Sequence, residues 1–522
     1  MDVESFITKH VKQLSLTSIA AAATVVSILG YSYSQSKKKA VGYKEIPLAK
    51  GWMPYFGHLW TYVFSGDIAG MKMAQRNSDM GPILHFQMGS KPWIVISDPD
   101  MAHELLNVHG ISTSHRPKHS YGTRLQSQDH GLTFIDPGSR WKKTRAAFTQ
   151  YMSSKSLSNH LDDILDKEAD CVVDRLLSND EPVSVLKEIQ WSALNVNLML
   201  GFGYRIDHPE DPFFEQLIDL ITVSVQHADP TFDRREFLPF IMGLVDWWHQ
   251  KSKKLAWYMT QVRAPIMQKL ICHGLDGDTE CLAKKLHAMK DGKDVDDETV
   301  ISTCFDLVVA GTDPTAITLA WVMIILCNHP EDQKSLQSEI DAFTSVHKRI
   351  PTFDEHEHLP LVMSTLKECI RIRSIAPLGL SRISVSDVVC RGYLIPKDTV
   401  ICANIFAMHH DPKRYPDPHC FKADRFMEKP RTMSTLSKAK VSERDQFLFG
   451  WGRRVCPGIH VAEWEMFNII VRILARSTIK PMLDNDNKPI YPDSNAFING
   501  GAVIFPAQDK MRFVKRKSPL DL

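Results

Sequence analysis

The chain has 522 residues, of which 43% are hydrophobic, and a formal net charge of +1. Such a chain can bury a large core, and its balanced charge provides no global field that would attract nucleic acid. No Gly/Ser- or Pro-rich linker divides the sequence, so one large folded unit is expected. Ten cysteines without a C-x-x-C pair favour a reducing compartment over a disulfide framework or a zinc ribbon.

The amino-terminal segment 14–33 contains no charged residue over about twenty positions, the length that a membrane-spanning helix needs. Lys37, Lys38 and Lys39 follow it directly, and this lysine excess predicts that the rest of the chain lies in the cytosol. A cleaved signal peptide would have a shorter apolar core followed by a cleavage site. We therefore predict a membrane anchor with its basic flank over residues 1–40 and one domain over 41–522. Peripheral insertion stays open, because the segment is only moderately hydrophobic.

The body of the chain combines a few strand-like runs with many helical ones. The alternating runs "ILHFQM" at 83–88 and "PWIVIS" at 92–97 predict strands. Residues 140–280 carry long amphipathic segments such as "LDDILDKEADCVVDRLL", which are typical of helices. A mainly α fold with a minor β part is expected.

A long apolar helix is predicted to begin near "DDETV" (296–300), where Asp296, Asp297 and Glu298 suit the positive end of a helix dipole, and to run to Cys327. At about 1.5 Å per residue, its roughly thirty residues would span about 45 Å, and its apolar character on all sides places it in the centre of the domain. Pro314 lies near its middle, in "VVAGTDPTAIT" (308–318). Because proline cannot donate to the carbonyl of Ala310, we predict that the helix continues through a kink.

Cys456 lies in the most informative segment, "FLFGWGRRVCPGIHVAEWEMF" (447–467). Pro457 suits the first turn of a helix, which would place Cys456 at a helix N-terminus that stabilises a thiolate. Arg454 adds a positive charge nearby. A phosphatase loop would need an arginine where Ala462 stands, and the base of a cysteine hydrolase would be His460, on the wrong side of the turn. A buried structural cysteine is a further alternative, but a thiolate that ligates haem iron accounts for every residue of the stretch.

The pattern F-x-x-G-x-R-x-C-x-G is formed by Phe449, Gly452, Arg454, Cys456 and Gly458. It is similar to the haem-binding loop of the cytochrome P450 family, and it is a very specific signal. The resemblance implies the family's fold, a large helical domain with a long central helix and a small β-rich part. It also implies haem b with Cys456 as axial ligand of the iron, Gly452 lying flat against the macrocycle and Arg454 meeting a propionate.

Three further positions resemble the family's propionate contacts. Trp141 and Arg145, one helical turn apart, are similar to its W-x-x-x-R pair, and Arg382 is similar to a third contact. Taken alone, each of these spacings would be a weak signal.

A second motif resembles the family's E-x-x-R pair. Glu368 and Arg371 stand three residues apart on one helical face, where an exposed ion pair would be the ordinary interpretation. The resemblance implies instead a buried triad completed by Arg425 in "FKADRF", where Ala423 replaces the usual proline.

The central helix departs from the family at one position. The family's A/G-G-x-D/E-T-T reads Ala310 to Thr315 here, with Pro314 in place of the first threonine. We expect Asp313 and Thr315, with Thr312 as a further candidate, to supply the catalytic proton path. The alternatives are an isomerase, dehydratase or desaturase that needs no such relay, and a haem protein that binds a ligand without turnover.

The resemblance implies a monooxygenase that hydroxylates a lipophilic small molecule such as a steroid, terpenoid or polyketide. Residues 121–130, 227–242, 375–379 and 497–502 would form the pocket walls, and most of them are apolar. The pattern resembles fungal membrane-bound members, which implies a single-pass anchor in the endoplasmic reticulum membrane.

The electron donor is expected to be a separate protein. "GFGYRI" at 201–206 fails the dinucleotide fingerprint, and no flavin or nicotinamide domain is evident in the sequence. The resemblance implies NADPH-cytochrome P450 reductase as the partner, with cytochrome b5 as a second donor. Four basic residues would lie near the docking face: Arg140, Lys142, Lys143 and Arg453.

Overall fold

A computed structural model of the chain describes residues 42–64, 68–152, 161–178, 181–228, 234–429 and 431–517. The predicted anchor over residues 1–40 lies outside these ranges. Helices dominate the described residues, as predicted. The α-helices are α1 (Leu59–Tyr62), α2 (Ala69–Arg76), α3 (Pro99–His103), α4 (Gly110–Thr113), α5 (Ser139–Tyr151), α6 (Leu161–Ser178), α7 (Val185–Phe202), α8 (Pro212–Ala228), α9 (Arg234–Phe237), α10 (Pro239–His249), α11 (Lys251–Tyr258), α12 (Ala264–Asp276), α13 (Leu282–Ala288), α14 (Asp297–Asn328), α15 (Pro330–His347), α16 (Pro360–Ile372), α17 (Ile405–His409), α18 (Met433–Leu436) and α19 (Ile459–Arg476).

Short strands and single helical turns complete the fold. The strands are β1 (Ile83–Met88), β2 (Lys91–Ile96), β3 (Val183–Ser184), β4 (Arg382–Ile383), β5 (Val388–Cys390), β6 (Tyr393–Ile395), β7 (Val400–Ala403), β8 (Ser477–Lys480), β9 (Met482–Leu483), β10 (Pro489–Ile490), β11 (Phe497–Asn499), β12 (Ile504–Pro506) and β13 (Lys510–Lys515). π-Helical turns occur at Glu104–Val108, Ser120–Gln126 and Met259–Arg263, and 3-10 turns at Phe353–His358, Val441–Glu443 and Gly452–Arg454.

The central helix α14 has 32 residues, as the sequence predicts, and most of its side chains are buried. The Asp296 carboxylate caps it by accepting from the Thr299 N–H at 2.8 Å. The helix continues through Pro314, whose carbonyl accepts from the Thr318 hydroxyl at 2.7 Å. Among the described residues α14 is the one helix long and apolar enough to cross a membrane, but 78% of its most apolar window is buried, as in a core helix.

Helix α7 packs directly along α14. Gly311 permits the close approach, because a Cβ at this position would lie 2.0 Å from the Asn197 Oδ1 atom. The helices α6 and α19 pack on the same group, so the centre of the domain is a bundle of apolar helices around α14.

The largest sheet has the strand order β1-β2-β7-β4. Antiparallel β1 and β2 place Phe86 opposite Trp93, and both predicted strands are therefore present. Strand β7 runs parallel to β2 and antiparallel to β4, with Arg382 opposite Ile401. The smaller sheets are β3-β13-β8, β5-β6, β9-β10 and β11-β12.

Candidate active site

The loop that holds Cys456 is closed by backbone contacts. Cys456 follows the 3-10 turn Gly452–Arg454, and Gly458 is the N-cap of α19. The Cys456 N–H donates to the Phe449 carbonyl at 2.9 Å. Gly452 has a φ of 55°, and a Cβ there would lie 2.7 Å from the Leu106 carbonyl oxygen. Glycine is therefore required at position 452 by the neighbouring chain as well as by the backbone conformation.

The electrostatics at the sulfur come from burial and one arginine. Burial raises the pKa of the Cys456 thiol, while the N–H of Gly458 and the positive charge of Arg145 favour the thiolate. Arg454 was expected to supply this charge. Its guanidinium instead donates to the carbonyls of Ser114 at 2.9 Å and Leu132 at 3.0 Å.

A cavity of about 230 Å³ lies in front of Cys456. The Cys456 loop forms one wall through Leu448, Phe449 and Pro457, and the central helix contributes Asp306 and Ala310. The Cys456 loop and the central helix therefore lie on the same cavity. We call this space the thiolate cavity.

Four arginines line the thiolate cavity: Arg116, Arg145, Arg382 and Arg454. Within the described part of the chain none of them forms an ion pair, and each donates to backbone carbonyls instead. Burial is the main cause that lowers the pKa of Arg116 and Arg382 to about 9 and that of Arg454 to about 8, and mutual repulsion adds to it. Such a cluster fits a ligand that carries two carboxylates, such as the two propionates of haem.

Arg116 was missed in the sequence, because no motif spacing relates it to Cys456. Its guanidinium donates to the carbonyls of Thr133 at 2.9 Å and Ser381 at 2.6 Å, which ties three segments together at the cavity. Its only sequence signal is a basic residue before a proline in "HRPKH".

Trp141 stands behind the arginines rather than in the cavity wall. Its Nε1 donates to the Leu132 carbonyl at 3.1 Å, and the Arg454 guanidinium lies 4.6 Å from the centre of its ring. Trp141 therefore positions Arg454 by a cation–π contact and fixes the Leu132 segment. Its predicted direct role at a propionate stays a prediction.

The predicted proton-path residues do not line the thiolate cavity. The Thr312 hydroxyl donates to the Val308 carbonyl at 2.8 Å, and Asp313 accepts from the Gln190 amide at 2.8 Å. Burial raises the pKa of Asp313 to about 6. Thr315 is buried, and its hydroxyl has no hydrogen-bond partner among the described residues.

Helix geometry explains this placement. Residues four apart share a face, so Ala310 and Pro314 point the same way, whereas Thr315 is turned by about 100° from Pro314. Asp306 belongs to the same face as Ala310, and its carboxylate accepts from the backbone N–H groups of Leu132 at 2.6 Å and Thr133 at 3.0 Å. The catalytic roles of Asp313, Thr315 and Thr312 stay predictions.

The triad expected from the E-x-x-R motif is assembled and buried. Arg371 donates to Glu368 through two bonds of 2.7 and 2.8 Å, and Arg425 lies 2.9 Å from the same carboxylate. Arg371 also donates to the His409 carbonyl at 2.7 Å, and the His409 imidazole accepts from the Phe447 N–H at 2.8 Å. The triad thus reaches the Cys456 loop through His409, a residue that the sequence analysis missed.

Two members of the predicted basic docking face are already paired. Arg140 lies 3.2 Å from Asp296, and Lys143 lies 2.8 Å from Asp291. Lys142 and Arg453 form no ion pair within the described residues, so the available positive charge is smaller than the sequence predicts.

A second cavity, which we call the channel, adjoins the thiolate cavity. The two share Arg116 and residues 378–380 in their walls. Predicted wall segments contribute residues 377–379, 499, 501 and 502. Tyr121 was also expected there but lies elsewhere: its hydroxyl donates to Asp246 at 2.9 Å, and its ring packs with Leu255 and Met259.

A partly buried cysteine thiol that faces a cavity lined by four arginines is the arrangement that a haem-thiolate protein needs. The cytochrome P450 family model matches residues 47–503, and the chain belongs to the cytochrome P450 family. It is a haem-dependent monooxygenase of that family, with Cys456 as the thiolate.

Similar proteins support the same conclusion. Cytochrome P450 monooxygenase COX2 from Coprinopsis cinerea is 26% identical over 94% of this chain and 91% of its own length. Tryptamine 4-monooxygenase from Psilocybe cyanescens is 29% identical over 83% of this chain and 85% of its own. A zebra fish cytochrome P450 solved with progesterone has a TM-score of 0.71 at 24% identity, covering 85% of this chain and 99% of that one, and it confirms the fold.

Proposed function

We propose that the chain hydroxylates a neutral lipophilic molecule with O2 and electrons from a separate NADPH-cytochrome P450 reductase, with cytochrome b5 as a second donor. The observation that carries the proposal is that the thiolate cavity and the channel share Arg116 and residues 378–380 in their walls. A substrate in the channel would therefore lie next to the space in front of Cys456. Haem bound through Cys456 supplies the oxygen-activating chemistry.

The chain's own residues would hold the cofactor. Arg116, Arg145, Arg382 and Arg454 would bind the propionates, exchanging backbone carbonyls for charged partners. Gly452 and the backbone bond to Phe449 fix the loop that presents the sulfur.

Proton delivery must use other groups than the family's threonine, because position 314 is a proline in this chain. Because Pro314 has no N–H, the carbonyl of Ala310 loses its helical donor at the cavity wall and can hold a water. Asp313, with its raised pKa, can take up and release a proton near neutral pH, and it accepts a hydrogen bond from Gln190, which is partly exposed. Thr315 offers the one free hydroxyl in this turn. Pro314 also supports a second candidate function, an isomerase, dehydratase or desaturase that needs no relay.

The substrate class follows from the channel walls. Val63, Ile68, Phe134, Leu378 and Leu380 make the walls mainly apolar. The carboxylate of Asp306 lines the thiolate cavity but already accepts hydrogen bonds from two backbone N–H groups, so it is a poor binding partner for a cationic amine. We therefore favour a steroid, terpenoid or polyketide. The progesterone in the zebra fish structure supports a steroid, whereas the tryptamine enzyme indicates that similar chains accept other skeletons.

Attachment to the endoplasmic reticulum membrane is part of the proposal. Large apolar side chains are exposed outside the predicted anchor, with Trp247 74% and Trp248 76% accessible on α10. Tryptophan is enriched where proteins meet the membrane interface. Flotation with phosphatidylcholine vesicles measures membrane binding of the full chain and of a variant that lacks residues 1–40. The comparison separates the contribution of the predicted anchor from that of the exposed tryptophans.

One set of measurements tests the proposal. The haem-loaded full chain should give a reduced CO spectrum of thiolate ligation, which Cys456→Ala should abolish and Cys420→Ala, at an exposed cysteine, should preserve. With NADPH-cytochrome P450 reductase and a panel of steroids, terpenoids and polyketides, ¹⁸O2 should place one labelled oxygen in the product. A product without label supports the isomerase class, and substrate binding without any product supports a non-catalytic binder.

A further inference from the structure

Two buried polar atoms of the channel have no partner. The His119 Nε2 and the Trp93 Nε1 are both inaccessible to solvent and make no hydrogen bond within the described structure. Both side chains line the channel, and His119 is 7% exposed. A buried polar group without a partner costs free energy, so in native proteins it usually meets a ligand or a water.

Two other polar groups around the channel are satisfied by the protein. The Tyr62 hydroxyl donates to the Lys50 carbonyl at 2.8 Å, and Arg116 donates to the carbonyls of Leu380 and Ser381. The side chains of Trp93 and His119 both line the largely apolar channel, and they come from separate segments, strand β2 and the loop before the π-turn Ser120–Gln126.

The chemistry of the two atoms selects the kind of group they would bind. The indole N–H of Trp93 only donates. Burial lowers the pKa of His119 to about 4, so its imidazole is neutral at pH 7 and offers one donor and one acceptor. A neutral oxygen satisfies such atoms, whereas an ammonium group cannot accept from Trp93.

We propose that His119 and Trp93 form a polar subsite of the channel that binds a neutral oxygen of the substrate, a carbonyl or a hydroxyl. The inference rests on the proposed function, because it treats the channel as the path of the substrate. The subsite would select a lipophilic molecule that already carries an oxygen and would fix which carbon reaches the thiolate cavity. His119 and Trp93 are then residues of substrate specificity.

Binding of matched probes tests the subsite without turnover. The haem-loaded full chain is titrated with 5α-androstane and its 3-ketone, and with decalin and 2-decalone, by spectral shift and by equilibrium dialysis. The measured quantity is the affinity ratio of ketone to hydrocarbon on each skeleton. One lost hydrogen bond should lower this ratio about fivefold to tenfold in His119→Phe and in Trp93→Phe. His119→Gln, which keeps a polar group, should restore part of it.

His85→Phe is the matched control. The Nε2 of His85 is also buried and unpartnered, but His85 lines neither cavity, so its substitution should leave the ratio unchanged. The subsite is wrong if the affinity ratio of ketone to hydrocarbon is the same in the wild type, His119→Phe and Trp93→Phe. It is also wrong if His85→Phe lowers this ratio as much as those two substitutions do. NADPH-dependent turnover is scored on the same samples. Absence of product with the ketone effect intact contradicts the proposed hydroxylation and leaves the subsite standing.

Discussion

Asp306 connects the central helix to the segment that holds the arginine cluster, and its removal should weaken both stability and haem retention. Its carboxylate accepts from the N–H groups of Leu132 and Thr133 at 2.6 and 3.0 Å. The Leu132 carbonyl in turn accepts from Trp141 Nε1 at 3.1 Å and Arg454 Nη1 at 3.0 Å. A change at Asp306 therefore propagates to Arg454 through the backbone of Leu132.

Asp306→Ala leaves two buried N–H groups without an acceptor, at about 1–3 kcal/mol each, so we expect a loss of about 2–6 kcal/mol. For a domain of this size this corresponds to a decrease in Tm of about 2–6 °C. Haem retention, followed by the reduced CO spectrum during dialysis against apomyoglobin, should fall in parallel.

Two matched variants sharpen this test. Asp306→Asn keeps one acceptor oxygen and should lose less than Asp306→Ala. Asp297→Ala removes a carboxylate that is 79% exposed at the start of the same helix and should change Tm little. If Asp306→Ala matches Asp297→Ala in Tm and in haem retention, the proposed connection is wrong.

Four further predictions concern the turn around Pro314. Thr315→Ala should lower product formed per NADPH and raise peroxide, while Thr315→Ser should preserve coupling; unchanged coupling in the alanine variant removes Thr315 from the proton path. Pro314→Thr should raise the product formed per NADPH, because it restores a hydroxyl on the helix face that Pro314 shares with Ala310. It should also stabilise the helix by up to about 3 kcal/mol, and a lower Tm would contradict this gain in stability. Gly311→Ala should be strongly destabilising because its Cβ would meet Asn197 Oδ1, and Asn197→Ala in the same chain should relieve most of the loss, as measured by Tm. Burial raises the pKa of Asp313 in the folded chain to about 6, above its unfolded value. Its contribution to stability is therefore complete below the unfolded pKa and is lost as the pH rises through 6. Asp313→Asn should make stability less dependent on pH across this range and remove an inflection near pH 6 from the pH profile of turnover, and unaltered profiles would refute the assignment.

The parts of the site that were predicted are those governed by local chain geometry. The loop around Cys456 needs glycines and a cysteine at fixed spacing, and Glu368 and Arg371 lie on one helical turn, so both motifs are legible in the sequence. The central helix was predictable for the same reason, since its apolar run and its acidic start are local signals.

Contacts between distant segments were not predictable. Arg116 joins the arginine cluster, His409 connects the triad to the Cys456 loop, and Arg454 donates to the carbonyl of Leu132, because each contact depends on how separate loops pack. The same holds for the pairing of Lys143 with Asp291, which withdraws a lysine from the predicted docking face.

By itself the sequence determined the family, the haem-ligating cysteine and the replacement of a catalytic threonine by Pro314, since these are carried by residue identity and spacing. Only the tertiary structure decided where that replacement acts. Helical rotation turns Thr315 away from the face shared by Ala310 and Pro314, and the packing of α7 holds Asp313 on Gln190. The unpartnered atoms of His119 and Trp93 likewise emerge only in the folded chain, because burial without a partner is a property of the packed interior.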